Sequence, residues 1–157
     1  SHFALRKIGK DKNYTCLPDI SITQSSIGCM IVHAPQLQDE AIHTKDLIEL
    51  NSPSSFVWLG RSDFAIESGG TKIIPEQIEQ KLRSFIKERF FFSSIKHKQL
   101  NNQIILIIEG ESHELNEKIF RDLDKYHRPK QVFFVPQFID AANGKIDRIS
   151  TKKLLNI

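Results

Sequence analysis

Apolar and polar positions alternate in short runs over the first sixty residues. Residues 1–6, 14–17, 20–23, 29–33, 42–50 and 56–59 are rich in β-branched and aromatic side chains. Pro18-Asp19, residues 25–28, residues 35–40 and residues 51–54 supply turns between the later runs. Short strands at this spacing predict a small barrel or sandwich. The stretch Gly60 to Glu79 is different in kind. Trp58-Leu59 before it and Phe64-Ala65-Ile66 within it read as short buried strands around a polar turn, Gly60-Arg61-Ser62-Asp63. Gly69-Gly70 marks backbone that must take a positive φ or admit something closely. Pro75 with Glu76 and Glu79 marks the first turn of a helix.

From Pro75 onward the period lengthens. Ile78, Leu82, Phe85, Ile86 and Arg89-Phe90 fall at helical spacing, with Gln77, Gln80, Lys81, Arg83 and Lys87 on the other side. Residues 91–98 alternate loosely, and Leu100-Asn101-Asn102 reads as a turn. Residues 103–109 are apolar on both faces, which predicts a central strand. Ser112 is placed to cap a helix running to Tyr126, burying Leu115, Ile119, Leu123 and Tyr126. A strand over 131–135 and a helix over about 150–155 complete the pattern. The expected fold class is therefore α+β: a small β-barrel-like part, residues 1–60, then a compact α/β lobe, residues 61–157, with a small sheet flanked by helices.

Composition narrows the function classes. The chain has 157 residues, 39% hydrophobic and 26% charged, with a net charge of +3. Its cations are interleaved with acids and form no basic stripe, so no nucleic acid is expected as a partner. The longest apolar run, residues 104–108, is too short to cross a bilayer, and no signal peptide is visible. No membrane partner is expected. Cys16 and Cys29 are too few for a disulfide scaffold, which points to a reducing cytoplasm, and both read as small buried hydrophobes. His33 and His43 lack partners at metal-ligand spacing, so no metal site is expected among these residues. No dinucleotide or phosphate-loop glycine motif is present. The phenylalanines between Phe85 and Phe134 read as core.

Three motifs carry candidate chemistry. Thr44-Lys45-Asp46 ends in a carboxylate that can accept two hydroxyl protons at once. Gly60-Arg61-Ser62-Asp63 is followed by the glycine pair and Ile74-Pro75-Glu76-Gln77-Ile78-Glu79. Asn143-Gly144 is a strong turn dipeptide, which puts Lys145 at an exposed tip within Gly-Lys-Ile-Asp-Arg. A flexible lysine there is a compact cation able to meet developing negative charge.

Together these stretches resemble the adenylate-forming superfamily of acyl-CoA synthetases, peptide-synthetase adenylation domains and luciferases. The family pattern is roughly T-G-D, then G-R-x-D, a glycine pair, I-x-P-x-x-I-E, Y-K-x-P and G-K-I-x-R. Tyr126 to Lys130 resembles the fifth of these, Y-K-x-P. Lys45 replaces the glycine of T-G-D, Phe64 stands where a second acid is usual, and Phe138-Ile139-Asp140-Ala141 replaces the common L-P-x-T.

The resemblance implies that the chain is the C-terminal part of a longer ATP-dependent acid–thiol ligase, inactive as a fragment, with the N-terminal lobe of the same chain as its partner. It implies formation of an acyl-adenylate from a carboxylic acid and ATP, then of an acyl-CoA thioester. Lys145 would be catalytic, Asp46 and Arg61 would bind the nucleotide, and Asp63 would be the hinge. Gly69, Gly70 and Lys72 would bind CoA. Magnesium would be held mainly by the N-terminal lobe. The start Ser1 to Arg6 and Pro136 to Asp140 look most like the o-succinylbenzoate–CoA ligases of menaquinone synthesis. Fatty or aromatic acids, a non-catalytic binding module of the same fold, and a homodimer are left open.

Overall fold

The alternating runs of the first sixty residues become strands, and the longer-period region that follows becomes a second sheet with little helix. The computed structural model describes residues 2–157. They form two compact units, Ser1–Asp63 and Phe64–Ile157.

In the first unit six strands pair antiparallel: β1 (Ala4–Leu5), β2 (Tyr14–Cys16), β3 (Ser21–Gln24), β4 (Cys29–His33), β5 (Ile42–Ser52) and β6 (Ser55–Arg61). Their order is β1-β2-β6-β5-β4-β3. The pleat sends Ile22, Met30, Val32, Ile48 and Phe56 to one buried cluster, against which Phe3, Tyr14 and Leu50 pack. Tyr14 and Phe56 stack with ring centroids 5.3 Å apart. The sheet is open, which corrects the barrel-like expectation. The terminal strands have two and four residues and do not pair with each other, so no ladder closes the ring. Ser1, the first residue of the expected N-terminal strand, lies outside the described residues.

In the second unit a hairpin of β7 (Ile66–Ser68) and β8 (Thr71–Ile73) leads into α1 (Pro75–Leu82). Then β9 (Phe90–His97), β10 (Asn101–Glu109) and β11 (Gln131–Val135) form a three-stranded sheet, and α2 (Arg148–Lys153) follows. β10 is central, antiparallel to β9 and parallel to β11. Ile104 to Ile108 is buried to 2% exposure or less on both faces. One face packs with Ile66, Ile73, Ile78, Leu82 and Ile86, the other with Phe91, Val135 and Phe138.

Three expectations for this unit need correction. The helix from Pro75 stops at Leu82, whose carbonyl accepts from both Phe85 and Ile86, and Phe85 is exposed. Phe90, expected on its apolar stripe, instead opens the eight-residue ladder of β9 with β10. The long helix from Ser112 to Tyr126 is reduced to a 3-10 turn, Glu117–Phe120. Asn116 and Asp124 turn their side-chain oxygens onto the Lys118 and Tyr126 amides, and Arg128 donates to the Arg121 and Leu123 carbonyls that a longer helix would use. The unit is thus mostly β, not a sheet flanked by long helices. Among the described residues no helix is long and apolar enough to cross a membrane.

Candidate functional site

The Thr44-Lys45-Asp46 segment lies in the middle of β5, and its conformation is fixed by the threonine. The Thr44 hydroxyl donates to the Met30 carbonyl at 2.9 Å and accepts from the Asp46 amide at 3.1 Å. Across the ladder Asp46 registers with Arg61 and Leu47 with Gly60, but Ile48 registers with Trp58. Leu59 is an extra residue on β6, a bulge. Without it Trp58 and Arg61, three apart, would fall on opposite faces. Trp58 is more than a third exposed, against the buried reading of Trp58-Leu59, and its indole N–H donates to Asp46 Oδ1 at 3.0 Å. A cleft of about 360 Å³ opens beside this pair, walled by His2, Phe3, Tyr14, Met30 and Phe56.

Arg61 and Asp63 form a two-pronged pair, Nε to Oδ1 at 2.9 Å and Nη2 to Oδ2 at 2.7 Å. Lys45 adds its Nζ at 3.7 Å from Asp63 Oδ2, so the residue that replaces a glycine in the motif helps hold the turn. The Arg61 guanidinium holds the Asp63 carboxyl below the usual carboxylate range. A lowered folded-state pKa contributes stability above the unfolded value, and this is lost as pH falls through the folded one. The stability gap between wild type and Asp63→Asn is therefore expected to be constant from pH 7 to about 4 and to close below it. For so exposed a pair it amounts to at most about 1 kcal/mol. Urea titrations across this range measure it, and a gap unchanged at pH 2 contradicts the pairing.

In the second unit Gly69 and Gly70, with φ of 57° and 81°, are the two central residues of the tight β7–β8 turn. Only such mirror-image turns match the twist of a two-residue hairpin, which requires glycine or asparagine. Lys72 is exposed on β8, opposite Glu67. The hairpin sits against the start of β10: the Gly69 amide donates to the Leu100 carbonyl and the Ser68 hydroxyl to the Asn102 carbonyl.

Lys145 is exposed on a second hairpin. There the Asn143 side chain accepts from the Lys145 amide at 3.1 Å, and the Ala141 amide donates to the Lys145 carbonyl at 2.8 Å. Gly144 has φ 74°. Both legs are anchored. On one, Asp140 pairs with Arg89, which also meets Glu109, and Glu109 in turn accepts from the Phe138 amide at 2.7 Å. On the other, Asp147 caps α2, and bonds from the Ser150 amide and hydroxyl hold its carboxyl below the usual range. Arg148 then makes a fork onto Glu79, at 2.9 Å and 2.8 Å, flanked by the Phe64 and Phe91 rings. This base lies by the Glu109 end of β10. The nine-residue strand thus carries the glycine hairpin at one end and the lysine hairpin at the other, roughly 26 Å apart by strand rise.

Within the first unit the structure gathers Asp46, Arg61 and Asp63; within the second it holds Gly69, Gly70 and Lys72 apart from Lys145. Sequence reading missed Trp58, and it took Glu79 for a helix start only. Glu79 is in fact buried, accepts from the Phe92 amide at 2.9 Å and binds Arg148, joining two motifs distant in sequence. The available signal was its spacing: it lies three and seven residues before Leu82 and Ile86, a carboxylate on an apolar face, which requires a partner. Arg89 and Asp140 gave no such signal. No cluster of three potential metal ligands occurs among the described residues. Burial raises the Cys16 thiol pKa above its ordinary value, and Cys29 is buried.

No family model and no curated protein sequence matches the chain. Solved structures do. An acyl-CoA synthetase (AMP-forming)/AMP-acid ligase II-like protein from Dyadobacter fermentans is 28% identical, with a TM-score of 0.58 over 99% of this chain and 48% of that one. The o-succinylbenzoate CoA synthetase of Bacillus subtilis, in complex with the acyl-adenylate intermediate, gives 0.74 at 19% identity over 87% of this chain and 34% of its own. ATP-bound MatB from Rhodopseudomonas palustris gives 0.68 at 16% identity over 90% of this chain and 34% of its own. The chain therefore has the fold of one portion of the AMP-forming acyl-CoA synthetases, and it spans about half of the first of these proteins and a third of the other two.

Proposed function

We propose that this chain is the C-terminal portion of an ATP-dependent acid–CoA ligase that first forms an acyl-adenylate and then a thioester. The observation that carries the reading is the layout of the second unit. Lys145, an exposed cation on an anchored hairpin, and the glycine turn stand at opposite ends of one strand. Two loops so far apart serve one reaction centre only in turn, which suits two half-reactions with different needs.

In the first half-reaction Lys145 meets the negative charge that builds on the carboxylate and α-phosphate oxygens as the acid displaces pyrophosphate. Asp46 accepts the two ribose hydroxyls, and Arg61 faces the ribose–phosphate region. In the second, the glycine turn admits the thread-like arm of CoA. A Cβ added at Gly70 would meet nothing within 4 Å, so nothing of this unit crowds that position. Lys72 on the same hairpin supplies positive charge for its phosphates. Asp63, at the boundary of the two units, is the hinge between the two arrangements.

The acid we propose is o-succinylbenzoate, a reading supported by the similarity of fold to the Bacillus subtilis enzyme. ATP–pyrophosphate exchange by the complete ligase, with o-succinylbenzoate against benzoate and a medium-chain fatty acid, tests both levels. Exchange dependent on o-succinylbenzoate is the expected result. Exchange with another acid keeps the mechanism and discards that substrate. Exchange with none overturns the ligase reading in favour of a binding module.

A further inference from the structure

We propose that Trp58 is a positioning residue for the nucleotide. By holding one oxygen of Asp46, it turns the carboxylate edge-on to the cleft and makes the site selective for a vicinal diol. The inference rests on the nucleotide reading of Asp46.

A carboxylate on a short side chain can rotate, and a rotating acceptor takes one hydroxyl as readily as two. Recognition of a diol needs both oxygens fixed in the plane of the two hydroxyls, at a cost in ordering borne before binding. Here three features fix it. The backbone of Asp46 is locked by Thr44. The bulge at Leu59 brings Trp58 to the face of β5 that carries Asp46. The indole N–H, a donor with no acceptor capacity, takes Oδ1 at 3.0 Å. Oδ2 and the second lone pair of Oδ1 are left for incoming hydroxyls. The ring itself forms one wall of the cleft beside Tyr14 and Phe56, which accounts for a large aromatic standing half in solvent.

Trp58 is the chain's single tryptophan, so one indole N–H resonance reports on this contact without ambiguity. The test is a nitrogen–proton correlation spectrum of this chain for the contact, and titration of the complete ligase with AMP and with 2′-deoxy- and 3′-deoxy-AMP for the selectivity. In the free protein Asp46→Ala should move the indole resonance, because its acceptor is gone. AMP should bind the complete ligase, and each deoxy analogue should bind at least about tenfold more weakly, the cost of leaving a charged acceptor unmatched. Trp58→Phe keeps a ring in the wall but removes the donor. It should weaken AMP on the order of tenfold and bring the deoxy analogues close to AMP.

Three results would overturn the proposal, and they are distinguishable. An indole resonance unmoved by Asp46→Ala denies the contact, and this needs no variant at Trp58. AMP binding in Trp58→Phe with wild-type affinity and discrimination denies the role while leaving the nucleotide site in place. A complete ligase that does not bind AMP removes the nucleotide reading of this face, and the inference with it.

Discussion

Replacing Lys145 with alanine is expected to slow acyl-adenylate formation on the order of 100-fold, the scale on which loss of one preorganised charge-stabilising group acts. Formation of the thioester from a supplied acyl-adenylate should be nearly unchanged. The structure makes this a clean substitution. The hairpin is shaped by the Asn143 side chain, the Ala141 and Gly144 amides and the positive φ of Gly144, none of which involves the lysine side chain. Stability should therefore stay within about 0.5 kcal/mol. Lys145→Arg should recover little, because a planar guanidinium with fixed donors is not a compact ammonium on a flexible stem. Pyrophosphate exchange follows the first half-reaction and a single-turnover assay from the adenylate the second. Equal slowing of both would show that Lys145 does something other than meet charge in the first.

Glu79→Ala should be strongly destabilising, at about 3 kcal/mol, because it strips the buried Arg148 guanidinium of its fork and leaves it only the Glu76 carboxylate, 3.9 Å from Nη2. The Glu79 side chain is 8% exposed and that of Arg148 17%. Removing the carboxylate abandons both prongs of the arginine and the Phe92 amide together. Total stability for a domain is about 5–15 kcal/mol, so such a loss is a large share of it. Changing both partners to apolar residues, Glu79→Leu with Arg148→Met, should restore only part of the loss, since Glu76, whose side chain is 8% exposed, is then left without this cation. Urea midpoints for the two single variants and the double one give the coupling. A cost below about 1 kcal/mol for Glu79→Ala would mean that the pair behaves as a surface one.

Much of the fold was legible where local and tertiary signals agree. The apolar run before Glu109 could only be a central strand, and residues 29–33 are β4 to the residue. Pro75 started α1 as its fixed φ dictates. The failures share one cause. Leu115, Ile119 and Leu123 have helical spacing, but spacing says which side chains share a face, not which backbone groups find partners. There Asn116, Asp124 and Arg128 captured the amides and carbonyls first. In the same way Phe90 to Phe92 satisfied an amphipathic helix and a strand equally, and eight rungs with β10 decided between them. Of the candidate residues, the tip position of Lys145 and the positive φ of the glycine pair followed from turn chemistry alone. The Asp46–Trp58 contact did not, because it depends on a bulge that no local pattern announces.

The order of strands in the second sheet also bears on how the unit comes together in time. β9 and β10 are joined by a turn at residues 98–100, so their hairpin closes with little loss of chain entropy. β11 runs parallel to β10 and returns only after residues 110–130, a longer closure with fewer local contacts to reward it. The lysine hairpin follows β11 in the chain, and its Phe138 amide rests on Glu109 at that end of the sheet. The loop that the proposed chemistry needs most is thus expected to be the last part of the nascent polypeptide to find its place.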